Sequence, residues 1–237
     1  MYDHAGILHR DVGPNNIMYR KLKGKVHGVL ADYDLASLRS TLTLDRTKTS
    51  HQRTGTPPFM AHGLLDGSDL IHLYRHDLES LFYTMLILAT HHEIPAPGEE
   101  NGGIRVLEEG LHFQDWFETT NYKTLSGAKS DFFTKLPAFE PSPSFADFHG
   151  WLRSLRKMFN RGFIEKIIHK SSLEYQEPGD EEMVPPFDDE TLGGYVTYST
   201  LIQTARNLAG KLRGLAIRYD PLRTSSSVVT NAVRAHT

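Results

Sequence analysis

Short apolar runs at Ile17–Tyr19 and Val26–Leu30 read as two strands, and the polar stretch RKLKGK between them carries Gly24. A hairpin is expected there. Residues 33–62 are polar, rich in Ser, Thr, Lys and Arg, and without a clear period. A structureless stretch that long in a compact domain is functional or disordered. In RHDLESLFYTMLILATHH, Leu78, Leu81, Phe82, Met85, Leu86 and Ala89 recur at i, i+3, i+4 spacing, and Ile87 and Leu88 widen the apolar surface. That pattern predicts a helix buried on most sides, with Asp77 at the N-cap and Pro95 and Pro97 beyond its end. Helical patterns follow over Gly103–Trp116, Gly127–Lys135 and Phe145–His169. From Glu174 to Glu190 there are eight acidic residues, three prolines and no basic residue, which reads as a solvated loop or linker. A last amphipathic helix places Leu201, Ala205, Leu208, Leu212 and Leu215 on one face, and TSSSVVTNAVRAHT reads as a frayed tail. The expected fold is mainly α with a small β-hairpin.

Composition narrows the setting. The chain has 237 residues, 39% hydrophobic and 23% charged, enough for one or at most two domains. A formal net charge of −3 supplies no basic field for nucleic acid. The absence of cysteine removes disulfides and thiolate metal sites. The longest apolar run, Leu81–Ala89, falls far short of the ~20 residues that span a bilayer. No secretory signal opens the chain. These features lead us to expect no membrane partner and an intracellular place, cytoplasmic or nuclear. His72, His76, His91 and His92 match no zinc spacing, and the basic positions of the last helix (Arg206, Lys211, Arg213, Arg218) read as a solvated face.

The chemistry gathers around the hairpin. His9-Arg10-Asp11 is followed by Asn16 in the spacing H-R-D-x-x-x-x-N, and Asp32 stands sixteen residues after Asn16, at the end of the second strand. A hairpin can bring Asp11, Asn16 and Asp32 to one point. Phosphoryl transfer needs a carboxylate to align the attacking hydroxyl and hard oxygen ligands for Mg²⁺. The set is far more specific than an isolated HRD triplet.

These segments resemble the C-terminal lobe of a eukaryotic protein kinase. HRDVGPNNIM resembles the catalytic loop and ADYDLAS the metal-binding segment. RTGTPPFMAHGLL resembles the end of the activation segment, and HDLESLFYTMLIL the central buried helix. The variants DYD, TGTPPFMA and DLESLFY are similar to the fungal-type protein kinase family. The resemblance implies a kinase-like lobe over residues 1–170, an acidic linker or loop over 171–194, a terminal helix over 195–219 packed on the lobe, and a flexible tail over 220–237. It also implies roles. Asp11 would be the catalytic base or hydroxyl-orienting carboxylate, and Asn16 and Asp32 the Mg²⁺ ligands. Arg10 would pair with a phosphorylated activation-segment residue, and Thr56 would hydrogen-bond near Asp11, as in Ser/Thr-directed kinases. His9 and Tyr33 would pack in the core column that joins the two lobes, and Asp77 would receive backbone N–H groups of the catalytic loop. ATP and Mg²⁺ would be the cofactors and a protein the substrate or partner. Thr41, Thr43, Thr47, Thr49, Ser50 and Thr54 read as plain loop or as phosphorylation sites.

The chain departs from that pattern at four places. Gly13 replaces the catalytic-loop lysine, and Asp34 replaces the DFG glycine. Ala61-His62-Gly63 stands at the A-P-E site, so its anchoring Glu is missing. The chain also starts just before HRD, with no glycine-rich loop, no strand lysine and no helix-C glutamate. It is therefore expected to supply one wall of an ATP cleft, to be weak or inactive by itself, and to self-associate through the surface that would face the other lobe. A non-catalytic, pseudokinase-like binding module is the alternative. A small-molecule phosphotransferase is a third reading, which the GTPPFMA segment disfavours.

Overall fold

The computed structural model describes residues 6–38, 55–69, 71–95, 104–107, 109–176 and 184–212, with side chains to residue 207. The threonine-rich cluster from Thr41 to Thr54 and residues 213–237 lie outside the described residues. Near the start, strand β1 (Ile7–Leu8), the hairpin strands β2 (Ile17–Leu22) and β3 (Lys25–Leu30), and strand β4 (Ser37–Leu38) form two antiparallel pairs. Ile17 pairs with Leu30 and Leu22 with Lys25, and β1 pairs with β4 through Ile7–Leu38 and Leu8–Ser37. Lys23 and Gly24 make the turn with φ of 49° and 75°. A two-residue turn with both φ positive suits the right-handed twist of a hairpin. The strands therefore run three residues further than expected at Leu22 and one at Lys25. The polar Arg20 and Lys21 are tolerated in the ladder because that end of the hairpin is exposed on both faces.

A short 3₁₀ turn (Pro57–Phe59) and helix α1 (His62–Asp66) lead into α2 (Tyr74–His91), the axis of the molecule. Most of α2 is buried, polar residues included. It begins at Tyr74 with Leu73 as N-cap, so Asp77 is not the N-cap. The cap fell earlier because Leu73 N–H donates to His76 Nδ1 at 2.9 Å, closing the first turn from inside the helix. Asp77 is left to bond elsewhere.

The helix expected over Gly103–Trp116 is not formed by the described residues before Asp115. The described residues there form β6 (Arg105–Val106), paired with β5 (His92–Glu93), and then α3 (Asp115–Glu118). Gly110 and Phe113 take left-handed backbone, with φ of 70° and 65°, which breaks a helical path. Helix α4 (Tyr122–Thr134) starts five residues before the expected pattern because Asn121 caps it, its side chain accepting Lys123 N–H and Thr124 N–H at 3.0 and 3.1 Å. A 3₁₀ stretch (Pro143–Phe148) enters α5 (His149–Glu174), and α6 (Tyr198–Leu212) closes the described chain. Trp151 Nε1 donates to Thr204 Oγ1 at 3.1 Å, joining α6 to α5.

The core is aromatic. Phe82 on α2 sits 5.5 Å from Phe159 on α5 and 6.0–6.2 Å from Phe132 and Phe133 on α4, ring centre to ring centre. Tyr83 meets Trp116 of α3 edge-on at 5.2 Å. The acidic stretch is a loop over its described residues from 184 on, and it is anchored to the helices. From residue 184 on it does not run free in solvent. Leu192 is fully buried against Gly162, where a Cβ would come within 2.6 Å of the Leu192 Cβ. Asp189 accepts from Arg75 Nε through its carbonyl at 2.7 Å and pairs with Lys166 at 2.8 Å. The negative charge that suggested a linker is partly spent on these two cations.

Candidate active site

The loop between β1 and β2 holds the motif residues. His9 is buried, its Nε2 lies 2.8 Å from Ala31 O, and its ring meets Tyr33 edge-on at 5.0 Å. The backbone N–H groups of His9 and Arg10 donate to the Asp77 carboxylate at 2.7 and 3.0 Å, and His72 Nε2 adds a contact at 2.9 Å. Burial by itself would raise the Asp77 pKa, but the His72 ring and the two N–H groups more than offset it and hold the carboxyl below its ordinary range. Arg10 takes a left-handed φ of 70°, a costly conformation for a long side chain. The fixed carboxylate under its N–H compensates that cost. Burial also lowers the Arg10 pKa, against the opposing charge of Asp77.

Two neighbours hold the Asp11 carboxylate. Its Oδ1 accepts Thr56 N–H at 3.1 Å and Thr56 Oγ1 at 3.4 Å; its Oδ2 accepts Asn16 Nδ2 at 3.2 Å. The same Asn16 amide reaches Asp11 O at 2.9 Å. Thr56 comes this close because Gly55 precedes it. Gly55 has φ of 114°, and a Cβ there would stand 3.1 Å from Met60 Cγ and 3.2 Å from Arg10 O. Asn16 is 8% exposed, and its backbone O accepts Ala31 N–H at 2.8 Å, which ties the loop to the end of β3.

The structure thus joins Asp11, Asn16 and Thr56 in one group, and His9, Tyr33 and Asp77 in the layer around it. Asp32 stands apart. It is exposed, has φ of 60°, and turns Oδ1 back to Asp34 N–H at 3.4 Å. It makes no hydrogen bond to Asp11 or Asn16. Among the described residues no three His, Cys, Asp or Glu side chains share a place where a metal could sit. Asn16 spends its amide nitrogen on Asp11, and the exposed Asp32 carboxylate lies two residues past the end of β3. Gly13 is buried beside Phe59.

Residues that sequence reasoning missed anchor the segment behind Asp11. Glu79 on α2 is fully buried, and its Oε1 accepts His62 N–H at 2.9 Å and Tyr83 OH at 2.7 Å, with His62 Nδ1 also at 2.9 Å. Burial opposes ionisation of Glu79, but the His62 charge and these donors hold its pKa down at about 2. Burial, then the Glu79 charge, raises the Tyr83 pKa well above its usual value. Asp69, 7% exposed, pairs with Arg75, His76 and Lys166 at 2.8, 3.1 and 2.9 Å. The anchoring Glu missing at Ala61-His62-Gly63 has its counterpart in this network, with the carboxylate on α2 and the base on the segment. A charged residue inside an apolar run, as Glu79 is in DLESLFY, was the available signal.

Residues 1–89 match the family model described as "Fungal protein kinase". That match spans the Asp11 loop, Asp32, Thr56 and Asp77. Over residues 1–89 the chain is similar to the fungal protein kinase family. The chain is also similar to serine/threonine-protein kinase PkaA of Streptomyces coelicolor, 35% identical over 65 residues. That alignment covers 27% of this chain and 11% of PkaA, so the chain spans about a tenth of the length of that relative. No solved structure matches. Among the described residues of the whole chain, helices predominate over three small two-stranded sheets, and no described helix is long and apolar enough to cross a membrane.

Proposed function

We propose that this chain carries the catalytic-loop side of an ATP-dependent kinase that phosphorylates Ser or Thr in proteins. One observation carries the reading: the Asp11 carboxylate is held at Oδ1 by Thr56 and at Oδ2 by Asn16, on a loop whose backbone is fixed to Asp77. A carboxylate so fixed can orient a substrate hydroxyl and accept its proton, and phosphoryl transfer asks the protein for little beyond such positioning and charge stabilisation. Asn16 Oδ1 and Asp32 would hold Mg²⁺, which, when bound with ATP, neutralises charge on the phosphates. Arg10 would meet a phosphorylated residue of the segment before Thr56. His9, Tyr33 and Asp77 support the loop, and ATP use in an intracellular place belongs to the same reading.

The test is transfer of label from γ-labelled ATP with Mg²⁺ to protein substrates, comparing the parent chain with Asp11→Asn and Asp32→Asn. Transfer to Ser or Thr that falls by about 10²–10⁴ in Asp11→Asn is the expected result. Labelling that survives Asp11→Asn sinks the enzymatic reading, whereas weak or absent transfer by the parent is what one wall of the cleft would give by itself. Gly13, where the resemblance expects a lysine, favours the second reading, a non-catalytic binding module. A parent that binds Mg²⁺–ATP without transferring phosphate would support it.

A further inference from the structure

A buried lysine reaches the back of the segment that carries Thr56. Lys129, on α4, is fully buried. Its Nζ donates to Met60 O at 2.6 Å and to Pro57 O at 3.2 Å, and lies 4.2 Å from the ring centre of Tyr83 and 5.2 Å from that of Trp116. A buried ammonium is costly unless acceptors surround it. Lys129 finds its two acceptors at the two ends of the turn Pro57–Met60. That turn is built directly on Thr56, whose carbonyl accepts Phe59 N–H at 2.9 Å and Met60 N–H at 3.1 Å. The opposite side of Thr56, its N–H and Oγ1, holds Asp11. A chain of direct contacts therefore runs from Lys129 through the turn and Thr56 to the Asp11 carboxylate, across 118 residues of sequence.

We propose that Lys129 is a positioning residue, which sets the place of Thr56 and through it the orientation of the Asp11 carboxylate. The inference rests on the reading of Asp11 and Thr56 as site residues. An apolar side chain of the same length would fill the space between Tyr83 and Trp116 but leave the inward-facing Met60 O without its Lys129 donor and Pro57 O with only the Met60 N–H at 3.2 Å, and the turn would relax toward solvent to compensate. Burial presses the Lys129 pKa well below its usual value, opposed by the Glu79 carboxylate. Either protonation state of the amine still supplies the two donors.

The test uses the full chain and amide hydrogen exchange followed by NMR. Lys129→Met removes both donors and keeps the volume; Lys129→Gln keeps a shorter donor. Leu152→Val, a core change on α5, is the control for general loss of stability. In Lys129→Met the Thr56 amide should exchange about tenfold faster than in the control, the loss of one modest hydrogen bond. Lys129→Gln should fall between the two, and it carries the test by the same criterion if Lys129→Met does not fold. A Thr56 amide that exchanges no faster than in Leu152→Val, or amides that all accelerate alike, overturns the proposal. In the transfer assay Lys129→Met should lower kcat about tenfold with KM for ATP unchanged. Labelling that survives Asp11→Asn would end the kinase reading but leave the amide measurement standing, so the two failures are distinguishable.

Discussion

At the scale of single residues, the site depends on backbone that most residues would refuse. Arg10 and Asp32 take positive φ, and Gly55 sits at φ of 114° with the loop pressed against it. Gly55→Ala should therefore destabilise the chain by about 1–3 kcal/mol, because a new Cβ meets both strain and the Arg10 carbonyl. Gly24 is the natural comparison. It also has positive φ, but a Cβ there meets nothing within 4 Å. Gly24→Ala should cost about 1 kcal/mol, from backbone strain only. Urea unfolding of the two variants checks the difference, and equal losses would show that the close approach of Gly55 to the Asp11 loop is not there. The motif residues His9, Asp11 and Asn16 could be picked out because their spacing is specific, whereas Asp32, expected to converge with them, stands apart. Thr56 and Asp77 could be named from the resemblance, but their contacts could not be read from order along the chain. The Asp77 carboxylate reaches His9 from 68 positions away.

At the scale of elements, short-range patterns were readable and long-range compensation was not. The hairpin and α2 followed from local apolar runs and Gly24. The start of α2 did not, because it rests on a histidine inside the helix. That histidine carries a testable pH dependence. His76 accepts Leu73 N–H at Nδ1, leaving Nε2–H for Asp69, so the folded state wants a neutral ring. Burial, then the Arg75 charge, lowers its pKa from 6.5 to about 4, against the pull of Asp69. The unfolded ring gains a proton at a higher pH than the folded one. Stability is thus fully present above about 6.5 and is lost as pH falls toward 4, by up to about 3 kcal/mol. The lowered carboxylates facing this region, Asp69 and Asp77, add their own loss only below the ordinary carboxylate range near 4. His76→Gln should flatten the dependence between pH 7 and 4.5. Denaturant midpoints that fall equally in parent and variant over that range would refute it.

At the scale of the whole molecule, buried charges knit together parts of the chain that sequence reading kept separate. Arg75 of α2, 1% exposed, touches Asp69 before its own helix and Asp189 more than a hundred residues later, and Lys166 of α5 joins both carboxylates. An acidic, proline-bearing stretch looks like a linker while its partners are unknown. Arg75 and Lys166 give no sign in the sequence that they await carboxylates. The two apolar residues that follow, Leu192 and Val196, are then buried to the last atom. This packing makes the last prediction a choice between two physical pictures. If residues 184–196 were a solvated linker, Leu192→Ala would cost almost nothing. Packed against Gly162 as it is, Leu192→Ala opens a cavity in the joint between this segment and α5, and should cost about 2–5 kcal/mol in urea unfolding. The amide of Val196, which donates to Thr191 O at 2.8 Å, should lose exchange protection before the amides of α2 do. A Leu192→Ala chain with unchanged stability and an unchanged Val196 amide would return this stretch to the status of a tether.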